Sequence, residues 1–159
     1  MTLPSEHSSQ PHEELAAVVA RLDPILNPLG FTFCIEHSAV NSGGPFENGF
    51  YLRQPISIGL IVRGDKLGCP NYVWNEFHTG HDDLIERLGR VSESVLRFDR
   101  AFDKWELITT DGSDVVDAFI TDLEIIILPT ISNAPDLFRQ AVVEAHNARL
   151  AKWRSGGGK

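Results

Sequence analysis

Two histidines and two aspartates fall within six residues in the segment Phe77-His78-Thr79-Gly80-His81-Asp82-Asp83. Imidazole nitrogens and carboxylate oxygens are the usual protein ligands of zinc and related divalent ions. His78, His81 and Asp82 are therefore the candidate metal ligands of a metal-dependent hydrolase, with Asp83 as its candidate base. The spacing is not that of His-Glu-x-x-His, and no cysteine pair accompanies it. The same residues also read as a helix start. Thr79 or His81 would cap it, and Asp82 and Asp83 would complement the positive end of the helix dipole. His37 and His146 join the cluster only if the fold brings them there.

A second group of carboxylates lies further along. Asp114, Asp117, Thr121 and Glu124 are spaced by three, four and three residues, which puts them on one helix face. Asp111 and Asp122 extend that acidic surface. Between residues 105 and 138 there is no Lys or Arg, so these like charges repel without local compensation. A basic partner would relieve that cost. Asp111, Asp114, Asp117, Asp122 and Glu124 are accordingly the candidate partner contacts, and the field they create would steer association. Acid–base catalysis is the poorer use for them, because an exposed helix face lacks the burial that lifts a carboxyl pKa. The chain then ends on a basic stretch with Arg139, Arg149, Lys152, Arg154 and Lys159 against Glu144.

Other chemistries have weaker footing. Cys34 and Cys69 have no Cys-x-x-Cys partner to depress a thiol pKa. There is no Gly-x-Ser-x-Gly. Gly43-Gly44-Pro45 and Arg63-Gly64-Asp65 match no phosphate-binding loop and read as turns. The net charge of −8 argues against nucleic acid. No apolar run approaches the ~20 residues that span a bilayer, and residues 1–11 lack the features of a signal peptide. The expectation is a cytoplasmic protein with no cofactor. The 159 residues, 42% hydrophobic and 23% charged, suit one soluble domain.

The elements that must position these groups are legible from periodicity. Leu15, Val18, Val19, Leu22, Ile25, Leu26 and Leu29 recur at helical steps, with Pro24 expected to kink or divide the helix and Gly30 to end it. Residues 31–37, 50–53 (from Phe46 at the earliest), 56–62 and 71–77 alternate as four strands. Short links favour antiparallel pairing. After residue 78 the spacing turns helical: a short helix ending at Gly89, a second capped by Ser92, a third capped by Ser113 or Asp111, and a last one opening at Pro135. Trp105–Ile108 fits a strand or a helix end, and Ile125–Leu128 fits a helix or a short buried strand. The architecture expected is α+β: an N-terminal helix, a four-stranded antiparallel sheet, then three or four helices packed on one face. Residues 1–11 should be disordered, 12–154 form one domain, and 155–159 a flexible tail. If one side of the sheet is uncovered, Phe46, Phe50, Tyr51 and Trp74 would face a second copy in a homodimer.

Pro-Leu-Gly-Phe at 28–31, Ser-Gly-Gly-Pro-Phe at 42–46 and Ile-Ser-Ile-Gly-Leu-Ile at 56–61 resemble a pattern in small bacterial proteins of unassigned function. Those proteins have a leading helix, a Leu-Gly-Phe turn into a strand, and a Gly-Gly-Pro-Phe hairpin before an apolar strand. In size, charge and class the chain also resembles bacterial immunity proteins, which implies a non-enzymatic protein that neutralises a toxin by binding it.

Overall fold

The sequence folds first as a helix with one apolar stripe. In the computed structural model, which describes residues 13–41, 44–63, 66–101 and 104–155, helix α1 spans Glu13–Leu26 and buries Leu15, Val18, Leu22 and Leu26. Pro24 does not divide it into two helices. The chain stays helical through Pro24, giving up the one hydrogen bond that proline cannot donate. A 3₁₀ turn at Asn27–Leu29 follows, closed by Gly30 at φ 92° with its N–H on the Asn27 carbonyl. That left-handed residue turns Phe31 back into the core, where it is buried.

The sheet has six strands rather than four: β1 Thr32–Asn41, β2 Gly44–Arg53, β3 Ile56–Arg63, β4 Lys66–Leu67, β5 Asn71–Trp74 and β6 Phe77–Gly80. Its order is β1-β2-β3-β5-β6, with β4 paired to β3, and all pairs are antiparallel. The extra strands have physical causes. Residues 71–77 read as one run, but Asn75 takes φ 54°, a left-handed conformation that asparagine tolerates better than most residues. The run therefore folds into a hairpin. Lys66–Leu67 is too short for any periodicity to show.

Alternation divides the sheet into two unlike faces. Ile56, Ile58, Leu60 and Val62 of β3 are buried, and by register Tyr51 and Tyr72 share their side. All the packed helices found lie on that side. Tyr51 donates to the α1 carboxylate Asp23 at 2.8 Å. Phe138, from the last helix, meets Tyr72 and Trp74 at ring-centroid distances of 6.4 and 6.2 Å. Tyr51 and Trp74 thus belong to the covered face and are not available to a second copy. Phe46 and Phe50 stand on the opposite, open face.

Beyond the sheet, α2 is His81–Arg87. The helix expected from Ser92 is instead a hairpin of β7 Val95–Asp99 and β8 Lys104–Ile108. Cross-strand pairs explain it: Leu96 opposes Leu107 and Phe98 opposes Trp105, the last two with rings 5.1 Å apart. The chain then forms α3 Val115–Asp122, a π-helical turn Leu123–Ile127, α4 Leu128–Asn133 and α5 Pro135–Ser155. The run Ile125–Leu128 is therefore helical and not a strand. Its wider turn lets Ile126, Ile127 and Leu128 all be buried in succession. The helices after the sheet among the described residues are α2 to α5, not the set expected: the Ser92 helix is a hairpin, α4 is an added element, and α5 runs through Ser155 where the tail was placed. Side chains from α1, the sheet, α2, β8 and α3–α5 form one core cluster. The expectations for residues 1–11 and 156–159, and the side chain of His37, lie outside the described residues.

Candidate functional site

The histidine–aspartate cluster separates once folded. His81 opens α2 with its ring fully buried, and both ring nitrogens are taken. Nδ1 lies 2.7 Å from the Tyr72 hydroxyl, and Nε2 lies 2.8 Å from Asp122 Oδ2. Ser92 donates to the same Asp122 oxygen at 2.6 Å, and the Glu93 N–H donates to Oδ1 at 3.0 Å. Ser94 completes the chain through its N–H on the Ser92 hydroxyl. Burial alone would raise the Asp122 pKa. The hydrogen bonds from His81, Ser92 and Glu93 outweigh it and hold the carboxyl below its ordinary value. With Asp122 ionised, His81 donates from Nε2 and keeps Nδ1 as the acceptor for Tyr72. Burial and the Asp122 charge push the Tyr72 phenol well above its usual range. This is a sealed network that ties β5, α2, the segment before β7 and α3 together.

The structure therefore does not bring His78, His81 and Asp82 together as metal ligands. His81 has no free ring nitrogen to give, and among the described residues no group of three His, Cys, Asp or Glu side chains is placed to hold an ion. His78 is exposed and instead meets His146, with ring centroids 4.8 Å apart. Its backbone N–H donates to His146 Nδ1 at 3.3 Å. Partial burial, His146 and Arg149 hold the His78 imidazole below its ordinary value. Asp83 pairs with Arg149 of α5 at 3.2 Å. Asp82 accepts from the Cys69 thiol at 3.7 Å. Burial pushes that thiol up to about 11, so it is a poor nucleophile at neutral pH. The α2 N-cap is Gly80, without a side-chain cap from Thr79 or His81.

The acidic block is likewise redistributed. Asp122 is buried in the network above and leaves the surface. Its place was readable: it lies three residues after Phe119 and four before Ile126, inside the apolar stripe. Asp114 is the α3 N-cap, accepting from the N–H groups of Val116 and Asp117. It replaces the expected Ser113 or Asp111. Those bonds, chiefly the one from Asp117, hold its carboxyl below its ordinary value. Arg21 of α1 pairs with Asp114 at 3.2 Å and also with Asp117. The compensation absent locally arrives from 93 residues away. Asp111 accepts from the N–H and hydroxyl of Ser113. Glu124 is exposed.

Sequence reasoning raised an uncovered side of the sheet, with Phe46 and Phe50 on it, but missed the groove there. That groove, of about 360 Å³, is lined by Glu36, Asn48, Phe50, Ser57, Asn71 and Val73 among others. At its floor is Gly59, opposite Phe50 on β2 and Asn71 on β5. Asn48 donates through Nδ2 to Glu36 Oε1 at 2.7 Å, which fixes the orientation of the amide. Its Oδ1 is buried and accepts no hydrogen bond, a condition shared among the described residues with Thr79 Oγ1 and Glu106 Oε2. An orphan acceptor of this kind costs about 1–3 kcal/mol where it stays unmatched. Of these three, Asn48 lines the groove.

No family model, curated protein or solved structure matches this chain. Among the described residues, no helix is long and apolar enough to cross a membrane.

Proposed function

We propose that the chain is a non-enzymatic protein-binding module for a partner bearing basic side chains, in its most concrete form an immunity or inhibitor protein. The observation that carries this reading is the exposed Glu36 carboxylate, held at the groove of the open sheet face by the Asn48 amide N–H. It can accept from a further donor. The net charge of −8 supplies a field that draws a basic partner in. Asp111, Asp114, Asp117 and Glu124 add to that field from the α3 side. Asp114 and Asp117 already hold Arg21, so they act at a distance more than by contact. Binding would then work by steered approach followed by occlusion of the partner's own site.

The test is selection of random displayed peptides on the folded protein, at low and high salt. Enrichment of Arg- and Lys-containing sequences that no longer bind Glu36→Gln is the expected result. Enrichment of sequences without basic residues, or retention by Glu36→Gln, would overturn the proposal.

A further inference from the structure

Gly59 stands in the middle of β3, yet nothing in the backbone demands a glycine there. Its φ lies outside the left-handed range, and a Cβ would meet the nearest atoms, the Asn71 carbonyl oxygen and Cβ, at 3.6 and 3.7 Å, an ordinary contact. Glycine in a strand interior weakens the strand and often marks a close approach by another group. What the missing side chain provides is space. Phe50 and Asn71 flank the dent across the strands, and Ser57 and Ile61 flank it along β3.

The chemistry at the edge of the dent is one-sided. Asn48 spends its amide donor on Glu36 and leaves Oδ1 without a partner. Glu36 brings the carboxylate. A fitting group must donate to that exposed carboxylate and carry positive charge. Among protein side chains Lys and Arg meet that description. Lys offers a compact, strongly hydrated point charge. Arg offers a planar fork that matches a carboxylate and a flat face that stacks on a ring. Phe50 supplies a ring in the groove. The molecule already uses this packing twice: Arg63 lies over Phe46 and Arg53 over Phe31, each guanidinium carbon 4.9 Å from the ring centroid.

From these features we infer that the dent at Gly59 seats the guanidinium of a partner's arginine, held by the Glu36 carboxylate and packed on Phe50. This rests on the binding-module reading and names the contact within it. Affinity should come from the charge-assisted bonds to Glu36, and selectivity for Arg over Lys from the two-pronged fit of the guanidinium to that carboxylate and from the ring.

The experiment is an NMR titration of the ¹⁵N-labelled full chain with three capped peptides that differ in one residue: arginine, lysine or citrulline. Citrulline keeps the shape of arginine without its charge. The arginine peptide is expected to shift the Gly59 and Asn71 amides and the Asn48 side-chain amide. The lysine peptide should bind several-fold more weakly and the citrulline peptide should produce no shift. Glu36→Gln should weaken the arginine peptide about tenfold or more, the value of a hydrogen bond to a charged group. Gly59→Val fills the dent and should abolish the shifts with Tm unchanged or raised, so lost binding cannot be confused with lost folding.

Equal affinity for the arginine and lysine peptides would overturn the guanidinium inference and leave the basic-partner reading standing. Shifts centred elsewhere, or arginine binding that survives Gly59→Val, would overturn the site. If no peptide produces shifts, the inference falls, and the peptide selection judges the broader reading independently.

Discussion

On the covered face of the sheet, Tyr72 is sealed from solvent, and from its hydroxyl a run of hydrogen bonds passes through His81 and Asp122 to Ser92 and Ser94. On the open face, Asn48 has one end of its amide matched and the other not. Both faces carry polar side chains on the same strands, so strand chemistry does not separate them. What separates them is exposure: the His81–Asp122 pair is closed to solvent, whereas the Glu36 carboxylate stands exposed at the groove. A buried network with complete pairing rigidifies and specifies a core. Each face also carries an unmatched buried atom, Thr79 Oγ1 on the covered side and Asn48 Oδ1 on the open side, a cost the fold bears in both places. The residue types that look most catalytic lie on the first face, and the accessible carboxylate lies on the second.

The largest effect expected follows from the sealed network. Asp122→Ala leaves the His81 ring, the Ser92 hydroxyl and the Glu93 N–H without their shared acceptor, and should cost about 3–5 kcal/mol of unfolding free energy in urea titration. The pH dependence has a defined sign. The folded-state pKa of Asp122 is lowered, so its stabilisation is present above the unfolded value near 4 and fades as pH falls below it. The gap between wild type and Asp122→Asn should therefore narrow as pH falls below about 4. At the alkaline end the sign reverses. The folded-state pKa values of Tyr51 and Tyr72 are raised, mainly by burial, so their contribution is complete below about pH 10 and is lost as pH climbs past it. A gap that stays constant in acid would mean the carboxylate is not held in this network.

The periodicities that were legible and those that were not divide along the same line. Alternation in Ile56–Val62 identifies the core face of β3, and helical spacing identifies α1, because each reports contacts between an element and the bulk of the core. The partners of His81 are 9 and 41 residues away, and Arg21 is 93 residues from Asp114. Spacing within one segment cannot show such pairings. That is why His81 read as a possible ligand and Asp114 as an uncompensated charge. Asp122 could have been placed from its own stripe. The hairpin at β7–β8 could have been read from the alternation of Leu96 and Phe98 with Arg97. The groove at Gly59 depends on the register of three strands, which one sequence does not display.

A middle-sized effect tests whether the α3 acids belong with the matched groups. Asp114→Ala removes the N-cap that accepts from Val116 and Asp117, and should cost about 1 kcal/mol. Asp114→Asn, an equally good cap, should cost little. The exposed contacts of Arg21 with Asp114 and Asp117 add a few tenths of a kcal/mol at most. Neither variant should change binding of the arginine peptide by more than the loss of one distant charge at low salt allows. A large loss of binding in Asp114→Asn, with stability intact, would move the partner contact back to the α3 side and equalise the two regions.

The smallest effect is the sharpest test of the contrast, because its sign is unusual. Most substitutions of part-buried polar residues destabilise. Asn48→Leu removes the orphan acceptor along with the single bond to Glu36. Truncating a well-paired group leaves its partner stranded. Here the Glu36 partner is exposed and can turn to water, while the unmatched Oδ1 disappears. The free energy of unfolding should therefore be unchanged or rise by up to about 1 kcal/mol, while affinity for the arginine peptide falls. A gain in stability coupled to a loss of binding is the signature of a residue kept for a site at the expense of the fold. A clear loss of stability in Asn48→Leu would show that its carbonyl is matched within the fold after all.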